Sequence, residues 1–112
     1  MTPVFAVFGA GRIGQIHARN LRAEPDVAVR YVVDVDAAAA GRLASTTGAR
    51  AADAATGLGD PAGTAILIAS STDTHAGLIE AGARAGKAIF CEKPLDLNVA
   101  RAAASLHTVE EA

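Results

Sequence analysis

The spacing of apolar and polar residues changes repeatedly along this chain, and each change predicts an element. Pro3 to Phe8 is a continuous apolar run closed by Gly9, the pattern of a strand buried on both faces. From Arg12 to Glu24 the spacing becomes helical, with Ile13, Ile16 and Leu21 roughly on one face, and Pro25 ends the helix. Val27 to Asp34, "VAVRYVVD", is β-branched and predicts a second strand. "DAAAAGRLASTTG" predicts a helix stopped by Gly48, and "ARAADAA" after it leaves room for a short third strand. Thr64 to Ser70, "TAILIAS", is a clear fourth strand. His75, Leu78, Ile79 and Gly82 follow at helical spacing, with a small residue where the helix approaches the sheet. Lys87 to Cys91 makes a fifth strand, and Asp96 caps a last helix with Val99, Ala103 and Leu106 as its apolar stripe.

Strands alternating with helices predict an α/β fold, a parallel sheet doubly wound with helices on both faces. No repeat, low-complexity linker or internal boundary interrupts the pattern. Residues 1–112 therefore read as one domain, long enough for one hydrophobic core and too short for a second domain.

Composition refines this picture. The apolar fraction is 51%, but alanine supplies 28 of the 112 residues and contributes helix propensity more than buried area. Aromatic residues make up only 4%, so closely packed helices and a core of Val, Ile and Leu are expected. The net charge is −2 and no Lys/Arg cluster stands out, which argues against nucleic acid as a partner. Cys91 is the single cysteine, so no intrachain disulfide can form. The N-terminus lacks a basic leader region and its apolar run is far too short to span a bilayer, so no membrane partner is expected and a reducing, cytoplasmic compartment is. The CxxC, HExxH and GxxxxGK[ST] patterns do not occur, and neither a metal site nor a P-loop is predicted.

The chemistry enters at "GAGRIG", Gly9 to Gly14, which matches G-x-G-x-x-G. Alone the pattern is weak. Here it follows a predicted strand and opens a predicted helix, as the motif requires. Gly9 permits the tight turn, Gly11 lets backbone approach a pyrophosphate, and Gly14 allows close helix–strand packing. At Arg12 and Ile13 the helix begins, and its N-terminus offers unpaired N–H groups and partial positive charge to phosphates. Asp34 ends the second strand 20 residues after Gly14, where a carboxylate can accept hydrogen bonds from the adenine-side ribose. A tight βα turn and a strand-ending aspartate would leave the same residues, but here strand, loop, helix and acid fall in register together. Asp34 would repel a 2′-phosphate, and no arginine stands at positions 35 to 37; the nearest downstream is Arg42. NAD is expected over NADP.

"GAGRIGQIHARNL", "VVDVD" and "SSTDTHAGLIEAGARAGKAIFCEKPL", in that order, resemble the N-terminal half of the Gfo/Idh/MocA oxidoreductases, the relatives of glucose–fructose oxidoreductase and inositol dehydrogenase. The resemblance covers nearly the whole chain, and Glu92-Lys93-Pro94 is its most specific element. "SSTDTH" and "FCEKPLDL" resemble the bacterial myo-inositol 2-dehydrogenase branch. The resemblance implies a Rossmann-type dinucleotide-binding domain for residues 1–112, with NAD as cofactor and a polyol or sugar as substrate of the complete enzyme. It implies that Lys93 lies beside the nicotinamide and hydrogen-bonds the substrate hydroxyl during hydride removal. Glu92 would hold the nicotinamide ribose or position Lys93, and Pro94 would shape the turn. Ser70, Ser71, Thr72 and His75 resemble the family's segment along the dinucleotide, although His75 would equally serve to begin a helix.

Family members continue into a sixth strand and an α+β substrate domain that completes the active site, and neither can be mapped on this chain. Glu110 and Glu111 oppose the dipole of the last helix. The ending therefore reads as a cut or a premature stop, and the chain as the cofactor half of a dehydrogenase. A fifth strand left as an open edge predicts a dimer or larger assembly. Two other classes fit parts of the sequence. A non-catalytic dinucleotide sensor would use the same loop. A methyltransferase would use a glycine loop and an acid, but would give Glu92-Lys93-Pro94 no purpose.

Overall fold

β1 (Val4–Phe8) alternates its side chains between two helical layers, which is why its apolar run has no polar gap. Phe5 and Val7 point into one core, and Ala6 and Phe8 into the other. This computed structural model describes residues 3–91. The expected last helix, with Asp96, Val99, Ala103 and Leu106, lies outside the described residues.

Helix α1 (Arg12–Ala23) follows the first loop and gives way at Glu24, next to Pro25. β2 (Ala28–Val33) then pairs parallel to β1, with a register irregularity at Phe5/Ala6. Helix α2 (Ala37–Thr47) starts where the Asp36 carboxylate accepts the N–H groups of Ala38 and Ala39, and stops at Gly48 in a left-handed conformation, φ 74°. β3 (Arg50–Ala51) is only two residues long. A short helix absent from the sequence expectation follows, α3 (Ala54–Gly59), capped by Asp53 accepting from the Thr56 N–H. β4 (Ala65–Ile68), a 3-10 turn (Thr72–Thr74), α4 (His75–Arg84) and β5 (Ala88–Cys91) complete the described chain.

The five strands are all parallel, in the order β3-β2-β1-β4-β5. Stepping to β2 on one side of β1 and to β4 on the other sets a switch point at the carboxyl end of β1. One core holds Phe5, Val7, Val32 and Leu67 against Ala18, Ala40 and Leu43 of α1 and α2. The second holds Phe8, Ile66 and Ile68 against Ile79 of α4, with Leu58 of α3 at its margin. The expected close approach of α4 occurs at Gly82, where a Cβ would stand 2.5 Å from Ile66 Cδ1.

Candidate functional site

Because the strands are parallel, the loops leaving β1, β2 and β4 emerge at one edge of the sheet. Gly9 and Gly11 after β1, Asp34 and Val35 after β2, and Ala69, Ser70, Ser71 and Thr74 after β4 line a single cleft of about 320 Å³.

The three glycines of the first loop serve different ends. Gly9 has φ 110°, and a Cβ there would lie 2.5 Å from the Ala69 carbonyl and 2.6 Å from the Ser70 nitrogen. The β1 loop therefore rests directly on the β4 loop. A Cβ on Gly14 would overlap the Gly9 carbonyl oxygen, so this glycine lets α1 start immediately behind the turn. Gly11 differs. Its φ of −76° suits any residue, and a Cβ there would meet nothing within 4 Å. Its missing side chain leaves open space on the cleft. Helix α1 begins with no side-chain cap and no acid in its first turn. Arg12 is exposed there and Ile13 is 43% exposed. The leading N–H groups of a helix have no acceptor within it and are available to an anion.

Asp34 is more than a strand-ending acid. Its Oδ2 accepts the Ala10 N–H at 2.7 Å, and its Oδ1 accepts the Asp36 N–H at 2.8 Å. The Gly9 N–H also donates to the Val33 carbonyl at 2.8 Å. The glycine loop is thus fastened to the end of β2 at two points. Each Asp34 oxygen keeps a further lone pair. Val35, which the sequence reading passed over, lines the cleft fully exposed at 107%. An apolar residue between two aspartates just beyond a strand was the available signal. Arg42 lies instead in a separate hollow of about 240 Å³ between α1 and α2, with Gln15 and Arg19.

On the opposite wall Ser70 is half-buried and Ser71 exposed. Thr72 opens the 3-10 turn. His75 is 2% exposed, and its Nε2 lies 2.9 Å from the Ser70 carbonyl oxygen, so it stands behind the wall rather than on it. Thr74, also passed over, lies with its Oγ1 2.6 Å from Ser70 Oγ and donates to the Ser71 carbonyl. Glu92, Lys93 and Pro94 lie outside the described residues; β5, which leads to them, ends at Cys91.

At the opposite edge of the sheet a polar cluster closes the fold. The Tyr31 hydroxyl donates to Asp60 Oδ2 at 2.7 Å, and Arg30 Nη1 lies 3.2 Å from the same oxygen. Lys87 Nζ donates to the Asp60 and Gly63 carbonyls at 2.7 and 2.6 Å. The Tyr31 bond, then the Ala62 N–H, hold the Asp60 carboxyl below its usual range, and the same Tyr31–Asp60 bond pushes the phenol up. Among the described residues no group of three or more His, Cys, Asp or Glu could hold a metal, and no helix is long and apolar enough to cross a membrane.

Comparison with known proteins agrees with this geometry. Residues 4–112 match the Gfo/Idh/MocA family model, described as an oxidoreductase family with an NAD-binding Rossmann fold. Inositol 2-dehydrogenase of Rhizobium meliloti (strain 1021) is 45% identical over 99% of this chain and 34% of its own length. A solved structure from Sinorhizobium meliloti 1021 superposes with a TM-score of 0.95 at 42% identity, over 98% of this chain and 33% of the other. GenD2 from gentamicin A biosynthesis, solved in complex with NAD, superposes with a TM-score of 0.93 at 32% identity, over 98% of this chain and 32% of its own. The chain spans about a third of the length of the relatives it matches.

Proposed function

The chain belongs to the Gfo/Idh/MocA oxidoreductase family, and from that premise we propose that it forms the NAD-binding domain of a dehydrogenase acting on a polyol or sugar hydroxyl of the inositol type. One observation carries the reading. Helix-terminal donors, a carboxylate and an apolar surface converge on one cleft at the switch point of a parallel sheet.

The residues fit a dinucleotide in its parts. The N–H groups of Arg12, Ile13 and Gly14 at the head of α1 suit the pyrophosphate, and Gly11 gives it room. Asp34 has lone pairs for ribose hydroxyls and a charge that disfavours a 2′-phosphate. Val35 offers an apolar surface to the adenine. Ser70, Ser71 and Thr74 form the facing wall, Thr72 joins the dinucleotide segment by family resemblance, and His75 holds Ser70 from behind. When bound, NAD supplies the hydride acceptor. Lys93, by family resemblance, donates a hydrogen bond to the substrate oxygen and stabilises its developing negative charge. In the same reading Glu92 holds the nicotinamide ribose or positions Lys93, and Pro94 shapes the turn. Phe90, 52% exposed on the outer strand of the described sheet, supports self-association. A cytoplasmic location belongs to the same proposal.

The test is calorimetric titration, since the chain has no tryptophan to report binding by fluorescence. NAD should bind, and S-adenosylmethionine should not displace it. Absence of NAD binding by folded protein, or displacement by S-adenosylmethionine, overturns the reading.

A further inference from the structure

The hydroxyl protons around Ser70 can be counted. Thr74 Oγ1 donates to the Ser71 carbonyl at 2.6 Å. A carbonyl only accepts, so the single hydroxyl proton of Thr74 is committed there. Ser70 Oγ and Thr74 Oγ1 are also 2.6 Å apart, and two oxygens at that distance need a proton between them. Ser70 must supply it. The chain of donation runs from Ser70 to Thr74 to the Ser71 carbonyl.

The rest of Ser70 is fixed as well. Its carbonyl accepts from His75 Nε2 at 2.9 Å, which requires the hydrogen on that nitrogen. Its backbone nitrogen lies against Gly9, 2.6 Å from where a Cβ would stand. The Ser70 hydroxyl is therefore preset before any ligand arrives, with its proton turned to Thr74 and only lone pairs left to offer.

We propose that Thr74 is a positioning residue that fixes the Ser70 hydroxyl as a hydrogen-bond acceptor, and that this hydroxyl receives a donor group of the dinucleotide rather than a phosphate oxygen. This rests on the dinucleotide reading above. A phosphate oxygen at the Ser70 hydroxyl would meet lone pairs, and turning the hydroxyl proton toward it would break the bond to Thr74. A ribose hydroxyl or carboxamide N–H meets no such obstacle. The head of α1 thus presents donors to the cleft, whereas the Asp34 carboxylate on one side and the Ser70 hydroxyl on the other present acceptors.

Calorimetric titration of the chain with NAD, with ADP-ribose and with ADP tests this, with thermal melting to confirm folding of each variant. Thr74→Ser keeps the relay and should bind within about twofold of the wild type. Thr74→Val and Ser70→Ala should each weaken binding about three- to tenfold, the value of one hydrogen bond. The double variant should bind no more weakly than Ser70→Ala, because Thr74 acts through Ser70. Thr74→Ala serves if the valine variant does not fold. A loss confined to NAD assigns the carboxamide as the donor, and an equal loss with ADP-ribose but none with ADP assigns the distal ribose hydroxyl; either supports the proposal, whereas the same loss with ADP points to the phosphates and overturns it. Unchanged binding in Thr74→Val, or losses that simply add in the double variant, overturn it. A wild-type chain that binds no NAD overturns the dinucleotide reading itself, before any variant is made.

Discussion

Gly9 and Gly11 stand two positions apart in one loop, yet their substitution should fail in opposite ways. Gly11 has an ordinary backbone conformation and open space where a side chain would go. Gly11→Val should therefore fold with a near-normal melting temperature and lose NAD affinity by on the order of tenfold or more, because the new side chain occupies the path of the pyrophosphate. Gly9→Ala should do the reverse. Its positive φ and the Ala69 backbone 2.5 Å away make the cost one of stability, about 1–3 kcal/mol from backbone strain alone. Paired melts and titrations would check both; a Gly11→Val variant that folds and binds normally would remove the phosphate-loop assignment. Asp34 mixes the two effects. Asp34→Ser should narrow the preference for NAD over NADP by removing the charge. It should also cost about 1–3 kcal/mol of stability, since the Ala10 and Asp36 N–H groups lose their acceptor. Equal NAD and NADP affinity in the wild type would defeat the charge argument.

Between elements, α4 approaches β4 closely at Gly82. An alanine at Gly82 would gain helix propensity of about 1 kcal/mol but would press on Ile66 Cδ1, whose side chain is fully buried and has nowhere to go. Overpacking of this kind costs about 1–3 kcal/mol, so Gly82→Ala should lower the melting temperature despite the propensity gain. Removing the obstructing methyl with Ile66→Val should restore part of the loss; a double variant that shows only additive losses would contradict the contact. This packing was legible in the sequence because Gly82 falls on the apolar stripe of His75, Leu78 and Ile79 at helical spacing. Helix α3 was not. Its six residues, AATGLG, hold two glycines and one large apolar side chain, and it persists through the Asp53 cap and the seating of Gly57 against Val33 and Phe8. β3, two exposed residues, has no pattern to read. In the same way the glycines and Asp34 were legible because the motif gives each a local reason. Val35 matters through the cleft that separate loops form together, and Thr74 through hydrogen bonds inside the turn after β4, neither of which the apolar spacing encodes. At the far edge of the sheet, the Tyr31–Asp60 bond joins β2 to the loop after α3 and gives stability a pH dependence. The lowered Asp60 carboxyl contributes fully above its ordinary value of 3.8, and that contribution fades as pH falls through the lowered folded-state value. The raised Tyr31 phenol contributes fully below its ordinary value of 10.0, and that contribution fades as pH rises through the raised value. Tyr31→Phe should flatten the alkaline limb of a melting-temperature profile and weaken the acid limb. A variant profile that tracks the wild type at both ends would show the bond to be dispensable.

At the scale of the molecule, the described sheet ends in β5, where Phe90 is half exposed and leans on Phe5 with ring centroids 5.5 Å apart. The described cleft is built from one edge of one sheet, and the chain spans about a third of the length of its relatives. Hydride transfer needs the substrate carbon held over the nicotinamide in a near-attack geometry, and such positioning is worth about 7–11 kcal/mol of barrier. A cleft at one end of one sheet can grip the cofactor through phosphates and ribose, but it cannot confine a freely tumbling polyol against it. Binding and turnover should therefore separate in the 112-residue chain. NAD titration should give saturable binding, whereas an NADH-formation assay with myo-inositol should show no turnover above background. Light scattering should report a dimer or larger species, because an outer strand with an exposed aromatic ring invites pairing with a second copy. A monodisperse monomer would defeat the edge argument and leave the cofactor assignment untouched. Turnover abolished by Lys93→Ala would instead mean that the groups completing the active site lie within these residues.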